Sequence, residues 1–403
     1  MRAAIPSLLT LAACAACAAC AAGSGPAASG AIDPGHLGVD LDAGSATAPA
    51  PAPATPPGGD AAAVGPIATA GSTPSPITLA FAGDVMFGRF VPDGFAPIEA
   101  ERHDPFAKVA HLLGAADLTI VNLETPVMAR PPARSAWGTR MRFVATPARL
   151  ATLASAGVDV VSLANNHHYD MRAGGVAETP GHCTAAGLTA IGAARDAPAV
   201  RVETLTVRGR RLAAIAITAV RNGPQRAGQP LLPHAEPRDL AATVAPLVTA
   251  ARADHDLVMV IVHWGVEYAD APSRWQRAAA HAAVDAGADL VIGHHPHVLQ
   301  GIERYRGALI AYSLGNFLFD NTRPIERQTG VLTVDVDAHG CTAARFDPAL
   351  LHKLPEHHVA AAPGRRGRAV RERVRQLSAA RPLATTWRDD GEALLLERAC
   401  RAP

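Results

Sequence analysis

Short apolar runs that each stop on a polar, ligand-type residue set the tightest limit on how this chain folds. "ITLAFAGDVM", from Ile77, ends on Gly83-Asp84, and "LTIVNLET" reaches Asn122 and Glu124. "VDVVSLANNH" ends at Asn165, Asn166 and His167, "DLVMVIVHWG" at His263, and "ADLVIGHHPH" at His294, His295 and His297. Helix-like stretches separate them: Pro105 to Ala115, Pro147 to Ala156, Leu240 to Ala253 and Ser273 to Ala286. Such alternation predicts an α/β fold with helices covering sheet faces. "AVRVETLTVRGRRLAAIAITA" reads as a hairpin turning near Gly209, and "GALIAYSLGN" and "TGVLTVDVDA" add later strands, so the sheets are mixed and a second layer is available.

Strand carboxyl ends gather at one edge of an open α/β sheet, and ligands bind there. Taken singly, each terminal residue has a plain structural use. Asp84 suits a helix cap, Glu124 an Arg partner, Asn165 or Asn166 a turn, and His263 a hydrogen-bonded place in the core. Placed together after five separate runs, they point to one shared site. Carboxylates, an amide oxygen and imidazoles suit a divalent transition metal, the imidazoles favouring zinc, iron or manganese over magnesium or calcium.

The ends of the chain read differently. Residues 1–22 have one early Arg and a short apolar run, the pattern of a secretory signal peptide. Leu11-Ala12-Ala13-Cys14 resembles a lipobox, making Cys14 the candidate lipid-bearing residue, whereas Cys17 and Cys20 lack a Leu three positions earlier. An exported, membrane-anchored protein of the cell envelope is expected. Residues 23–76, mostly Ala, Pro, Gly, Ser and Thr, cannot offset the entropy of ordering and read as a disordered tether. The folded domain is expected over 77–355 and a polar extension over 356–403, where "GRRGRAVRERVRQL" reads as a solvated helix. Cys183, Cys341 and Cys400 outline no disulfide framework, and the sequence does not choose a pair. A formal net charge of +1 argues against nucleic acid as the main partner.

Six segments, "FAGDVMFGR", "NLETP", "SLANNHHYD", "VHWGVEY", "GHHPHVLQ" and "YSLGNFLFD", resemble in order and spacing the bacterial capsule-synthesis family called CapA, the poly-γ-glutamate synthesis proteins. That family is similar to the calcineurin-like metallophosphoesterases, which implies a double β-sheet sandwich flanked by helices. Carried over position by position, the resemblance implies Asp84, Glu124, Asn166, His263, His295 and His297 as metal ligands and His167 as the acid that protonates a leaving group. Met86 departs from the pattern, standing where phosphoesterases carry a His, and a thioether is a poor partner for a hard ion. One ion or two therefore stays open. Asn165, Glu267, His294 and Asn316 are candidates to orient ligands or touch substrate, with His168 and Ser313 near them. Arg130, Arg134, Arg140 and Arg142 are candidates for a basic rim facing an anionic substrate, or for a solvated loop. Trp264 and Tyr268 either pack the motif or touch substrate.

Two functions fit. In one, a metal-dependent hydrolase-like site acts on a phosphoester or amide in capsule or poly-γ-glutamate biosynthesis. In the other, a non-catalytic component binds metal or an anionic polymer and assists capsule export or anchoring alongside membrane capsule-assembly proteins.

Overall fold

The computed structural model describes residues 76–91, 94–97, 103–132, 142–196, 199–224, 228–320, 323–337, 339–353, 357–398 and 400. The expected signal peptide, the tether up to Ser75, and Arg134 and Arg140 lie outside the described residues. In chain order the first half runs β1 (Ile77–Val85), β2 (Gly88–Val91), β3 (Gly94–Pro97), α1 (Ala110–Leu113), β4 (Leu118–Leu123), α2 (Ala148–Ser155), β5 (Val160–Ser162), α3 (Arg172–Ala185) and β6 (Thr189–Ile191). It continues with β7 (Glu203–Val207), β8 (Arg210–Thr218), α4 (Leu240–Ala251), β9 (Leu257–His263), α5 (Arg274–Asp285), β10 (Leu290–His294), β11 (Ile302–Tyr305), β12 (Ala308–Ala311) and β13 (Asn316–Leu318). Last come β14 (Gln328–Asp337), β15 (Gly340–His352), β16 (His358–Ala361), α6 (Arg368–Ala379), β17 (Trp387–Asp389) and β18 (Leu394–Leu396).

One sheet is ordered β17-β18-β15-β14-β1-β4-β5-β6, with β13 paired to β1 and β16 to β15; the other is ordered β11-β12-β10-β9-β8-β7. Two-residue periodicity explains why they stack. In β9, Leu257, Met259 and Ile261 join Leu79, Phe81 and Ile120 of the first sheet in one core, while Val258, Val260 and Val262 pack under α4 and α5. Ala80, Ala82 and Val121 likewise face α2 and α3. Strands buried on both sides read as unbroken apolar runs. The result is a double β-sheet sandwich flanked by helices, as expected. The hairpin at Gly209 forms as β7 and β8, and Ser273 starts α5 with a capping box to Gln276.

A register shift in β1 sets up the site. Phe81 pairs with Ile120, but Asp84 pairs with Asn122, so β1 carries one extra residue between them. That bulge turns Asp84 onto the Asn122 face, which simple alternation would have denied it. Gly83 makes this possible, because a Cβ there would sit 1.9 Å from the Gly315 carbonyl oxygen.

Residues past Pro355 correct two sequence expectations. They are not a polar extension, and the Arg-rich helix is not simply solvated. Val370 and Val374 of α6, with Trp387, Leu394 and Cys400, belong to the core between the sheets. The apolar pair at i and i+4 gives α6 a buried stripe that its arginines hide from a charge count. Arg371 is itself buried and donates to Asp389 across 2.7 Å. Cys341 and Cys400 form a disulfide over 59 residues, which in a chain-entropy account stabilises the fold by about 4 kcal/mol; Cys183 is free and buried. Leu394→Ala is therefore expected to lower the unfolding free energy by about 2–5 kcal/mol, read by denaturant titration. An appendage would leave the midpoint unmoved.

Candidate metal centre

Parallel strands deliver the polar residues to one end of both sheets. Asp84 is the penultimate residue of β1, Glu124 follows β4, Asn165 to His167 follow β5, Asn316 opens β13, His263 ends β9, His294 ends β10, and His295 and His297 follow it. The bulged Asp84 is fully enclosed: Oδ1 accepts from Asn122 across 2.8 Å and lies 3.2 Å from His294 Nδ1, and Oδ2 accepts from the His295 amide across 3.2 Å. Burial works to raise its carboxyl, but the close approach of His294 and the influence of His297 outweigh it and hold the group below the usual range. His294, for which an exposed position was one expectation, is buried and acts on Asp84.

Glu124 is the exception to this pairing. Its side chain is wholly buried, and among the described residues neither carboxylate oxygen accepts a hydrogen bond. Oε1 faces three imidazole nitrogens: His167 Nε2 and His263 Nε2 at 3.7 Å each and His297 Nε2 at 4.0 Å. Burial, then Asp84, Asp170 and Glu267, push its carboxyl well above its ordinary value. The imidazoles show the mirror effect. His263 is held well below its usual value by burial and then by His295 and its neighbours, and burial with His297 takes His295 down to about 3.

These residues fit a metal ion. His263 Nε2 lies 2.8 Å from Asn166 Oδ1 and 3.1 Å from His295 Nδ1, so lone-pair donors crowd one point. Donor atoms of Glu124, His263 and His295 lie within 4.8 Å of one another, as do those of Asp84, Glu124 and His297 and those of Glu267, His295 and His297. Bonds of about 2.1 Å reach such donors with small side-chain adjustments. His295 and His297 adopt φ of 96° and 58°, a region costly for residues with a Cβ and typical of functional sites. His297 Nδ1 is 2.8 Å from Asn316 Oδ1, which fixes its ring. Met86, by contrast, packs with Phe143, Phe319 and Leu351, two of which rest on the His167 and His297 rings.

The other named residues are placed as follows. Asn165 bonds to Asn122, to the Leu123 carbonyl and to the His167 amide, so it shapes the loop rather than facing outward. Glu267 is exposed at the rim. His168 is buried, accepts from the Ala194 amide across 3.2 Å, and is lowered by burial to about 4. Trp264 is buried against Tyr312, whereas Tyr268 stays open under the Arg323 guanidinium, and Ser313 Oγ accepts from the Gly315 amide. Arg130 is exposed, and Arg142 donates to Asp170 across 2.9 Å.

Two residues were missed from the sequence. Asp170 Oδ2 lies 2.6 Å from His167 Nδ1 and also accepts from the Phe143 amide. Its position three residues after His167, in "NNHHYD", was the available signal. Asn222 accepts from Asn166 Nδ2 across 2.9 Å and reaches within 3.4 Å of His167 Nδ1. It lies far off in sequence, after β8, and nothing local marks it.

A double α/β sandwich with a buried imidazole and carboxylate cluster at its strand ends defines the class: an α/β protein with a candidate metal centre. The family model described as "Bacterial capsule synthesis protein PGA_cap" matches residues 78–321, and the chain belongs to that family. It is 30% identical over 279 residues to the PGA biosynthesis protein CapA of Bacillus subtilis (strain 168), covering 69% of this chain and 72% of that protein. It is 33% identical over 248 residues to the capsule biosynthesis protein CapA of Bacillus anthracis, 60% of each chain. Among solved structures, the 5'-nucleotidase from Candida albicans aligns at 11% identity and a TM-score of 0.38, over 66% of this chain and 53% of that one.

Glu124→Gln tests the centre directly. Adding Mn²⁺ or Zn²⁺ is expected to raise the parent's melting temperature, with about 2.7 kcal/mol of stabilisation at a hundred times the dissociation constant. The variant is expected to lose most of that response, yet to melt higher than the parent without metal, because an uncompensated buried carboxylate has gone. Calorimetry with and without chelator reads both.

Proposed function

We propose that this domain is a metal-dependent hydrolase-like component of capsule or poly-γ-glutamate biosynthesis, acting on an amide or phosphoester bond of an anionic substrate. The fully buried Glu124 carboxyl, with no hydrogen-bond donor and facing three imidazole nitrogens, carries this reading, since the group is an unsaturated oxygen donor beside nitrogen donors. Asp84, Glu124, Asn166, His263, His295 and His297 would hold the ion, with manganese, zinc or iron suited to that donor set. When bound, it would supply Lewis-acid polarisation of the reacting oxygen and activate water as a nucleophile.

The chain's own residues do the rest. His167 presents Nε2 to the Glu124 side of the pocket, where it can give a proton to a departing oxygen or nitrogen. Asp170 accepts from Nδ1 and so fixes ring and tautomer, while Phe143 stacks on the imidazole with ring centroids 3.9 Å apart. The Asn122, Asn165 and Asn316 amides brace Asp84, His167 and His297. Met86 favours a second reading, a non-catalytic component that holds metal or polyanion during export or anchoring, because the position of an expected ligand is given to apolar packing.

Metal analysis of the purified chain, followed by amidase and phosphodiesterase assays with the ion restored, decides between them. His167→Ala is expected to leave metal content intact and cut turnover about 100- to 10,000-fold, and Asp170→Asn to cut it about 10- to 100-fold. Metal retention with no turnover on either substrate class favours the second reading.

Under both readings the protein works in the cell envelope, exported and tethered through Cys14, beside membrane proteins that assemble the capsule. The Cys341–Cys400 disulfide supports an oxidising compartment. Cys14→Ser is expected to move the protein from the membrane to the soluble fraction; an unchanged fractionation would assign anchoring elsewhere.

A further inference from the structure

Two loops of the metal centre are held from outside by a helix that supplies none of its donors. Loop 264–273 follows His263 and carries Glu267, and loop 295–301 follows β10 and carries His295 and His297. Donor atoms of Glu267, His295 and His297 lie within 4.8 Å of one another, so the spacing of the two loops decides whether they reach one ion. Both loops also hold residues with a Cβ in the left-handed region: Tyr268 at φ 64°, His295 at 96° and His297 at 58°. Such backbone persists only where its surroundings over-determine it.

Close to the donors, the loops are tied to each other. The Tyr268 amide donates to the Pro296 carbonyl across 2.8 Å, and Gln300 Nε2 donates to the Ala269 carbonyl across 2.8 Å. Farther along both loops, Arg373 of α6 ties them again. Its Nη2 donates to Asp270 Oδ1 across 2.8 Å and to the Leu299 carbonyl across 3.2 Å, one contact on each loop. Asp270 is 56% exposed, so the ion pair by itself counts for little in water. The Leu299 carbonyl is the firmer hold, because Leu299 is buried and the Arg373 side chain is only 13% exposed. α6 is itself fixed beside these loops: Ser378 Oγ accepts from the Ile302 amide across 2.9 Å, and a Cβ at Gly301 would sit 2.8 Å from the Leu377 carbonyl oxygen. The helix lies beyond residues 78–321, which carry the family likeness.

We propose that Arg373 is a positioning residue of the metal centre: by joining Asp270 to the Leu299 carbonyl it fixes the spacing of the two donor loops, and so sets how tightly an ion is held. It touches neither ion nor substrate and acts only through the donors on those loops. The inference rests on the metal centre of the proposed function and holds with or without turnover.

Isothermal titration of the purified, chelator-treated full chain with Mn²⁺, and with Zn²⁺ in parallel, tests it. Arg373→Gln is expected to weaken metal affinity about 10- to 100-fold, the range typical when an outer partner of a ligand set is lost. Arg375→Gln, which removes an exposed guanidinium of the same helix that pairs with Glu372, is expected to leave affinity unchanged. Asp270→Asn is expected to weaken affinity by less, and to add little on top of Arg373→Gln, since the two residues share one contact. Arg373→Lys, which restores the charge, is expected to recover part of the loss. A merely structural Arg373 would lower the metal-free melting temperature and leave the affinity of the folded variant at the parent's value, and that result overturns the assignment. Additive losses from Arg373→Gln and Asp270→Asn overturn it too. If Arg373→Gln does not fold, parent-like affinity in Asp270→Asn does the same. A parent that binds no ion sinks the metal centre and this inference with it, whereas Arg373-dependent binding in a chain that cleaves neither substrate class sinks the hydrolase-like reading alone.

Discussion

A carboxylate shut away from water with no donor to meet it is among the costliest features a fold can carry, and Glu124 is in that position. Removing one member of a buried charge pair typically costs about 3–5 kcal/mol, and a carboxyl left without a partner meets that cost by favouring its neutral form, the direction in which Glu124 is pushed. The imidazoles around it face the same difficulty with the opposite sign: they cannot all be charged so close together, and burial holds His263 and His295 neutral. Neutral nitrogens and a buried carboxyl converging on one volume make a donor set that could hold a divalent cation.

The two-sheet architecture holds that arrangement open. Side chains on β4 and β9 reach the pocket by simple alternation, since Asn122 and His263 continue the parity of Ile120 and Ile261. β1 does not, and needs the extra residue before Asp84 to bring its carboxylate to the same face. Gly83 and Gly315 let β1 and β13 come close enough for the bulge to close. Strain at His295 and His297 is tolerated because Asp84 binds the His295 amide and Asn316 binds the His297 ring. Rigid strands on one side and a pinned loop on the other keep the donors from collapsing onto one another.

Much of this was legible in the sequence because it follows from period two and from polar punctuation. The runs ending at Asp84, Glu124, Asn166, His263 and His297 marked both the strands and the pocket. What stayed hidden depends on tertiary context. Segment 172–185 holds Gly174, Gly175, Pro180 and Gly181, poor helix formers, yet α3 forms because Thr179, Val176 and Cys183 are buried and Thr179 ties to Val127. In α6, arginines outnumber the valines that set its burial. Asp170 was visible only as a spacing, and Asn222 only through space. Residue type and order find ligands at strand ends; they do not find the residues that orient those ligands from another loop.

Met86 and Asp170 are linked through one residue that packs on His167. The β1 turn gives one expected ligand position to an apolar cluster of Met86, Phe143, Phe319 and Leu351. The same Phe143 stacks on His167, and its amide donates to Asp170. One aromatic residue therefore joins the apolar cluster to the His167–Asp170 pair, so packing around Met86 helps to set the orientation of His167. Restoring a polar ligand at that position would strip the cluster of its thioether and loosen the ring it supports.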